Sequence, residues 1–389
     1  MPDPASFLQG QNISVALRDV ESELDRLWGP AAEQAGGPDI EQPSATRVVL
    51  ANVILAALEE LADSPRLAET LAAITTQYPS RTIVLRRSAD PGRSRDQGVS
   101  AEVAALCHLP ALGRPQVCSE RIELSAGSNA VDLLPGAVRP LLEPDLHSLL
   151  WWSGDPWAHP DLFAELAEES TRVILDLPDP AGAGPPAALI LGLDPETRPH
   201  ARDLAWFGIT PWREVVAQLF DPPNVAMLGQ ISRLEVRARA STADGLPRAS
   251  AWLAAWLAGQ IGWKPLERSF PGNGQVEATF QGPTGPVAVR LDREPDPGPG
   301  SPDPFAHLTG IRIAIGLDGQ GGTIQLERPD PGSEEIRVLS ACPHQCDLPR
   351  VVLVPEHDAS HRIAAVLESD RNDPPFRRAL PIALWLLGL

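Results

Sequence analysis

Five residues in the last part of the sequence have side chains that can bind a transition metal. They lie in the segments CPHQC and HDASH, and they are Cys342, His344, Cys346, His357 and His361. Thiolates and imidazoles suit tetrahedral zinc, but the two cysteines do not form a C-x-x-C pair, and only His357 and His361 have the four-residue spacing of one helix face. We interpret all five as ordinary loop residues and predict no bound metal. A zinc site and a reversible Cys342–Cys346 disulfide are the alternatives.

Sequence motifs of nucleophilic and phosphoryl-transfer catalysis are missing. The sequence contains no G-x-S-x-G elbow and no G-x-x-x-x-G-K-[ST] loop, and Lys264 is its single lysine. The segment GLDGQGGT lacks the spacing of a dinucleotide-binding loop and predicts a β-hairpin turn instead. His147 and His159 are interpreted as hydrogen-bonded structural residues. We therefore predict a binding role, with no catalytic activity and no cofactor.

Three of the ten tryptophans lie in the short segment LHSLLWWSGDPW. On a strand, Trp151 and Trp152 point to opposite faces of the sheet, and the residues that follow turn the chain. One ring is expected in the core. The other ring and Trp157 fall at a strand end, where ligands and partners meet open α/β sheets. Burial of all three rings is the competing interpretation.

Composition limits the classes of partner. The chain has 389 residues and a formal net charge of −19, from 51 acidic and 32 basic side chains. Such a surface repels phosphate backbones and anionic lipids, so we expect neither a nucleic-acid nor a membrane partner. The first residues do not resemble a secretory signal, and we expect a cytoplasmic protein. In that reducing compartment the four cysteines are predicted to be free thiols. The apolar segment LPIALWLLGL is too short to span a bilayer and predicts a terminal helix that docks on a core or a partner.

The first part of the chain alternates between helical and strand periodicity. ISVALRDVESELDRLW, SPRLAETLAAITTQ, NAVDLLPGAVRPLLE and DLFAELAEES predict helices. TRVVLANVILA predicts a buried strand, and further strands follow in RTIVLRR, VSAEVAALCHL, QVCSERIEL, LHSLLWW and RVILDL. This order predicts an α/β domain over residues 1–225, with a mostly parallel sheet and helices on both faces.

The remainder, residues 226–389, has the pattern of an α+β domain. ITPWREVVAQLFDPP begins a helix at Pro211 and ends it at a proline pair, and we place the domain boundary just after it. ASAWLAAWLAGQIGW predicts another helix. Strands with alternating polarity follow in QVEATFQ, PVAVRLD, GIRIAIGL, GTIQLER and EEIRVLSA, which suits an antiparallel sheet with one face covered by helices.

Several segments together resemble the OpcA family of glucose-6-phosphate dehydrogenase assembly proteins. They are YPSRTIVL, CSERIEL, LLEPDLHSLLWWSG and DLAWFGITPWREVVAQLFD, followed by the W-L-A-x-x-x-G-W pattern from Trp256 to Trp263. The likeness covers roughly the middle half of the chain. The last part resembles the family only loosely, mainly in DPPFRRAL.

The resemblance implies a non-catalytic protein that binds glucose-6-phosphate dehydrogenase, favours its active oligomer and activates it allosterically. Aromatic and arginine side chains commonly anchor such interfaces. The predicted partner-binding residues are Trp151, Trp152, Trp157, Trp212 and Arg213, with Ser80 and Arg81 from the matched segments. Structural roles compete with this assignment, since Arg213 could pair with a carboxylate and Trp212 could seal the domain junction. Two other functions stay open: a stand-alone α/β enzyme or binding protein for a small phosphorylated sugar, and an adaptor of another complex.

Overall fold

A computed structural model of the chain divides it into two compact units. The first comprises residues 1–177, 193–202 and 359–368, and the second comprises residues 178–192, 203–358 and 369–389. One boundary between the two units therefore falls between residues 202 and 203. The domain boundary at residue 225 stays a prediction from the sequence. The structure describes residues 8–9, 12–33, 45–58, 70–71, 74, 77–88, 98–108, 116–176, 200–239, 248–272, 274–294, 308–316, 321–330, 333–341, 349–354, 359–369 and 373–388.

The first unit alternates strands and helices. In chain order its elements are β1 (Leu8–Gln9), β2 (Ile13–Val15), α1 (Val20–Glu33), β3 (Ala45–Arg47), β4 (Asn52–Ala56), β5 (Arg81–Arg87), β6 (Val99–His108), β7 (Gln116–Ala126), α2 (Leu134–Val138), β8 (Ser148–Ser153), α3 (Pro160–Glu168), β9 (Arg172–Asp176) and β10 (His200–Asp203). Helix α7 (Ala359–Glu368), much later in the chain, also belongs to this unit.

The centre of its sheet is parallel. The strand order is β1-β6-β7-β5-β4-β8-β9-β10, and β7, β5, β4, β8 and β9 run parallel to one another. Strand β6 pairs with β7 in the antiparallel direction, and β1 and β2 pair with β6. All five residues of β4 are buried, as expected for a strand covered on both faces. The predicted α/β class of this part is confirmed.

Three local predictions in this unit were wrong in detail. The segment ISVALRDVESELDRLW begins as strand β2, and its helix starts only at Val20, because the first three residues pair with β6. TRVVLANVILA forms two strands, β3 and β4, that pair with different neighbours. The helix predicted across NAVDLLPGAVRPLLE is reduced to α2, with a turn of 3₁₀ helix on either side. Most of SPRLAETLAAITTQ lies outside the described residues.

A disulfide joins Cys107 to Cys118, so the prediction of free thiols was wrong for these two residues. They lie directly opposite each other in the antiparallel β6–β7 ladder. Residues in such a position have their β-carbons close enough for a bond. Composition could not reveal this pairing because it depends on the register of the two strands. Cys342 and Cys346 lie outside the described residues.

The second unit has two short helices followed by a large sheet. Its elements are α4 (Leu204–Gly208), α5 (Thr210–Leu219), β11 (Ile231–Arg239), α6 (Arg248–Ile261), β12 (Lys264–Gly272), β13 (Gln275–Gln281), β14 (Pro286–Glu294), β15 (Leu308–Ile315), β16 (Thr323–Glu327), β17 (Glu335–Ala341), β18 (Arg350–Leu353) and α8 (Pro374–Leu387).

The eight-stranded sheet is antiparallel except at one pair. Its order is β12-β13-β14-β11-β15-β16-β17-β18, and β11 runs parallel to β14. Buried and exposed residues alternate along β13 and β14, which confirms the predicted α+β pattern. The hairpin predicted at GLDGQGGT is confirmed by the β15–β16 pairing, and Gly316 there has a φ of +94°. Helix α8 packs on α6, where a β-carbon on Gly259 would lie 3.1 Å from the backbone of Arg378. Within the ranges that the structure describes, no helix combines the length and apolarity needed to cross a bilayer.

Candidate functional site

Trp151 and Trp152 are core residues. Both lie in β8, between β4 and β9, and they are 3% and 2% exposed. The Trp152 ring meets Phe163 of α3 edge-to-face, with centroids 5.2 Å apart. The Trp151 indole N–H is buried and has no hydrogen-bond partner among the described residues. The prediction that these rings contact a partner directly conflicts with their burial, because helices cover the faces of a parallel sheet.

Trp157 is the predicted ring that reaches the surface. It lies in the turn after β8 and is 39% exposed. The Asp155 carboxylate accepts a hydrogen bond from the Trp157 backbone N–H at 2.9 Å, which holds the turn. Leu133, also exposed, lies in another 3₁₀ turn, and both turns contact α3. A role for Trp157 in partner binding stays a prediction.

Ser80 and Arg81 are buried at the amino-terminal edge of the parallel sheet. The Arg81 side chain is 2% exposed, and its Nε donates to Glu120 of β7 at 2.7 Å. Its Nη1 donates to Glu21 of α1 at 2.7 Å and to the Leu141 carbonyl at 2.9 Å. Arg81 therefore fastens α1 and the loop before β8 to the sheet. Direct contact with a partner conflicts with this position.

A second arginine completes the cluster. Arg47 of β3 lies 2.6 Å from both Glu120 and Glu143, and Glu143 also contacts Arg81 at 3.0 Å. Burial alone would lower the pKa of Arg81, but the attraction of Glu120 and hydrogen bonds to Glu120 and Glu21 outweigh it and raise that pKa. The cluster is thus a satisfied ionic network that holds the fold.

Trp212 and Arg213 begin α5 and face the interior of the second unit. Trp212 is buried, and Arg328 lies over its ring at 5.6 Å. The Arg213 guanidinium lies 3.8 Å from the centroid of Trp206 and donates to the Thr210 hydroxyl at 2.7 Å. Burial lowers the pKa of Arg213 to about 10, so it stays protonated near neutral pH. The burial of Trp212 conflicts with a direct contact to a partner, and the cation–π stack gives Arg213 a structural role.

An aromatic cluster that the sequence did not single out explains several tryptophans. The rings of Trp206, Trp252 and Phe376 lie 5.1–5.4 Å apart. The Trp252 N–H donates to Asp203 at 2.8 Å, and the Trp206 N–H donates to Asp373 at 3.0 Å. Both aspartates also cap helices, since Asp203 begins α4 and Asp373 begins α8. The aspartate before each of these two helices was the feature of the sequence from which the cluster could have been predicted.

The eight-stranded sheet has one open face, which we call the outer face. It is formed by the outward side chains of β13, β14, β11, β15 and β16, which alternate with buried ones. Arg290 and Glu277 on this face are 46% and 52% exposed. A groove of about 320 Å³ runs along it beside β12. Its charged residues are five acidic, Glu235, Glu277, Asp292, Glu294 and Glu327, and five basic, Arg233, Arg237, Arg239, Arg290 and Arg312.

Metal ligands do not converge in the described part of the chain, where no three His, Cys, Asp or Glu side chains are grouped to hold an ion. Of the five sequence candidates only His361 is described, and it lies on α7. Cys342, His344, Cys346 and His357 fall outside the described residues.

The fold defines a class: an α/β unit with a parallel sheet, combined with an α+β unit whose antiparallel sheet keeps one face open. Two family models match the chain, described as the glucose-6-phosphate dehydrogenase subunit N-terminal domain over residues 71–189 and the C-terminal domain over residues 199–380. The chain belongs to the OpcA family of glucose-6-phosphate dehydrogenase assembly proteins. Its predicted membership is confirmed.

Relatives named "Putative OxPP cycle protein OpcA" occur in cyanobacteria. The protein of Synechocystis sp. is 26% identical over 69% of this chain, and that of Synechococcus elongatus is 29% identical over 68%. The matches cover 55% and 60% of those proteins, so the chain spans little more than half the length of these relatives.

Among solved structures, a putative oxidoreductase from Parabacteroides merdae is similar in fold. It is 8% identical, with a TM-score of 0.50, over 89% of this chain and 98% of that one. At this identity the likeness concerns the fold alone.

Proposed function

We propose that this chain is a non-catalytic assembly factor that binds glucose-6-phosphate dehydrogenase, favours its active oligomer and activates it allosterically in the oxidative pentose phosphate pathway. The observation that carries the proposal is the match of both units to domains named for that dehydrogenase. The proposed site of action is the cytoplasm, the compartment expected from the sequence.

An activator of this kind works through a difference in affinity. It must bind one conformation or assembly of the enzyme more tightly than another, because equal affinity shifts no equilibrium. A coupling free energy of about 1–3 kcal/mol corresponds to a shift of roughly 5- to 150-fold. The mechanism requires an exposed contact surface and no reacting group on this chain.

Trp157 is the proposed contact on the first unit. A large ring that is partly exposed and held by a capped turn loses little conformational freedom when a partner covers it. The buried residues Trp151 and Trp152 fix β8, the strand from which the turn of Trp157 follows, whereas Arg81 holds the opposite, amino-terminal edge of the sheet.

The test combines the purified chain with the dehydrogenase of the same organism and measures turnover and the mass of the complex. We expect a rise in activity together with a larger species. Trp157→Ala should weaken both effects by about tenfold or more. Leu353→Ala, which removes an exposed apolar side chain of β18 in the second unit, is the control and should change neither.

Two results would contradict the proposal. One is an unchanged activity and mass of the dehydrogenase at saturating amounts of the chain. The other is turnover of glucose 6-phosphate or another sugar phosphate by the isolated chain, which would favour a stand-alone enzyme.

A further inference from the structure

The charges on the outer face alternate in sign across the sheet. Strand register places Glu277, Arg290, Glu235 and Arg312 side by side on β13, β14, β11 and β15. This row reads minus, plus, minus, plus. Reading such a row from its other end exchanges every sign, so the row is complementary to its own reversed copy.

A two-fold axis supplies that reversal. If the axis runs along the strands between β14 and β11, Arg290 faces Glu235 of a second copy, and Glu277 faces Arg312. Each contact then occurs twice, as in any isologous interface. Arg312 has no ion-pair partner among the described residues of its own chain, so it is available for this contact.

Two further rows obey the same symmetry. Asp292 lies beside Arg237, and Glu294 lies beside Arg239, on the same two strands β14 and β11. The same axis brings each carboxylate opposite the arginine of the other copy. Arg237 lies across Gly310, where a β-carbon would collide with its guanidinium, and it pairs with Glu327 at 2.8 Å and with Glu294 at 3.3 Å. The sign pattern is therefore consistent over four pairs of residues.

The outer face also has the charge balance and size that self-association requires. The five acidic and five basic residues on β13, β14, β11, β15 and β16 cancel, and β12 adds Glu267 and Arg268 at the groove. The whole chain carries −19, so this is a surface where two copies do not repel each other. Six strands from β12 to β16 at about 4.8 Å spacing, with roughly seven residues each at about 3.3 Å, give about 670 Å². A standard interface buries about 800 Å² per partner.

Small side chains surround Arg233 of β11 in one row, where the two-fold axis would place this exposed arginine opposite Ala288 of the second copy. Thr279, Ala288, Ala314 and Thr323 occupy β13, β14, β15 and β16 at one level of the sheet. Thr279 and Ala288 line the groove beside β12, together with Arg233. In the two-fold arrangement the β15 and β16 side chains of the second copy lie over that groove.

We propose that the outer face is the interface of a two-fold symmetric dimer of this chain, in which the sheets pack face to face about an axis between β11 and β14. This arrangement is independent of the proposed binding to the dehydrogenase. It predicts a dimer that weakens as salt screens its ion pairs.

Sedimentation of the full chain over a wide concentration range tests the dimer. Arg290→Glu should raise its dissociation constant by about 100-fold or more, because like charges then meet twice across the interface. Glu235→Arg should have the same effect. Arg337→Glu on β17, outside the six contacting strands, is the matched control and should leave the dimer unchanged.

Mixing the two variants separates contacts between copies from contacts within one copy. The Arg290→Glu chain and the Glu235→Arg chain each fail to self-associate, but together they restore opposite charges at both symmetric positions and should form a heterodimer. Circular dichroism of each variant checks that it is folded.

Three results overturn the proposal. They are a chain that is monomeric at every concentration, a dimer that is insensitive to Arg290→Glu, and a pair of variants that does not combine. If the chain is monomeric and Arg290→Glu abolishes binding of the dehydrogenase, the outer face belongs to the dehydrogenase and the dimer is refuted.

Discussion

The two sheets of this protein differ in how their faces are used. In the first unit, every residue of β4 and all but the last of β8 are buried, so both faces of the parallel sheet are covered. In the second unit, β13 and β14 alternate between buried and exposed residues, so the sheet has one covered and one open face. A charged residue therefore has different consequences in the two sheets. In the first it must be paired inside the protein, and in the second it can face water or another chain.

The ionic cluster around Arg81 provides the largest expected effect. Arg81→Met removes the more buried of the two arginines, Arg47 and Arg81, that pair with the fully buried Glu120, and it should lower the free energy of unfolding by about 3–5 kcal/mol. Urea denaturation followed by circular dichroism measures the change. Arg290→Met removes an arginine that is also ion-paired but lies on the open sheet, and it should cost about 0–1 kcal/mol. Equal losses would remove the distinction between the two sheets.

A similar comparison uses two tryptophans: Trp152, which lies in β8, and Trp157, which lies in the turn after it. Trp152→Ala removes a ring packed against Phe163 in the covered sheet and should cost about 3–5 kcal/mol. Trp157→Ala removes an exposed ring and should change stability by about 0.5 kcal/mol. Thermal unfolding distinguishes the two. A large destabilisation by Trp157→Ala would mean that its role is structural, which would weaken its assignment as a partner contact.

Two glycines in hairpins of the open sheet give a third comparison of stability, with a smaller expected effect. A β-carbon on Gly321 would collide with the Ile315 carbonyl oxygen, so Gly321→Ala must displace the β15–β16 turn at a cost of about 1–3 kcal/mol. Gly285→Ala in the β13–β14 turn meets nothing within 4 Å and should be neutral within about 1 kcal/mol. Chemical denaturation checks both. If the two variants have the same free energy of unfolding, backbone crowding at Gly321 does not restrict which side chain the β15–β16 hairpin accepts.

The periodicity of the sequence was sufficient to predict most helices and strands, but it did not show which residues pack against them. Alternation in QVEATFQ and PVAVRLD indicated strands with one open face, and the apolar run in LHSLLWW indicated a strand with one tryptophan ring in the core. The run did not reveal that both Trp151 and Trp152 are enclosed, because covering groups such as Phe163 come from elsewhere in the chain. Strand β12 was missed because nearly all of its residues are exposed, so its sequence has no two-residue alternation.

Predictions of the site were limited by contacts between distant positions. Arg81 resembles an interface anchor when only YPSRTIVL is considered, but its role is set by Glu120 and Glu21, which are remote in sequence. The Cys107–Cys118 bond likewise depends on the register of β6 and β7. The sign pattern of the outer face is encoded in four separate segments and becomes visible only when their strands are placed in order.

Helix α7 has a consequence for how the chain is made. It belongs to the first unit, yet it is translated after residues 203–358 of the second unit. Arg172 at the start of β9 donates hydrogen bonds to the carbonyls of Val366 and Leu367 at the end of this helix. During synthesis, Arg172 of the first unit therefore lacks these two hydrogen bonds until residues 359–368 have left the ribosome. A nascent chain that ends before α7 would leave the surface that α7 covers open to chaperones and proteases.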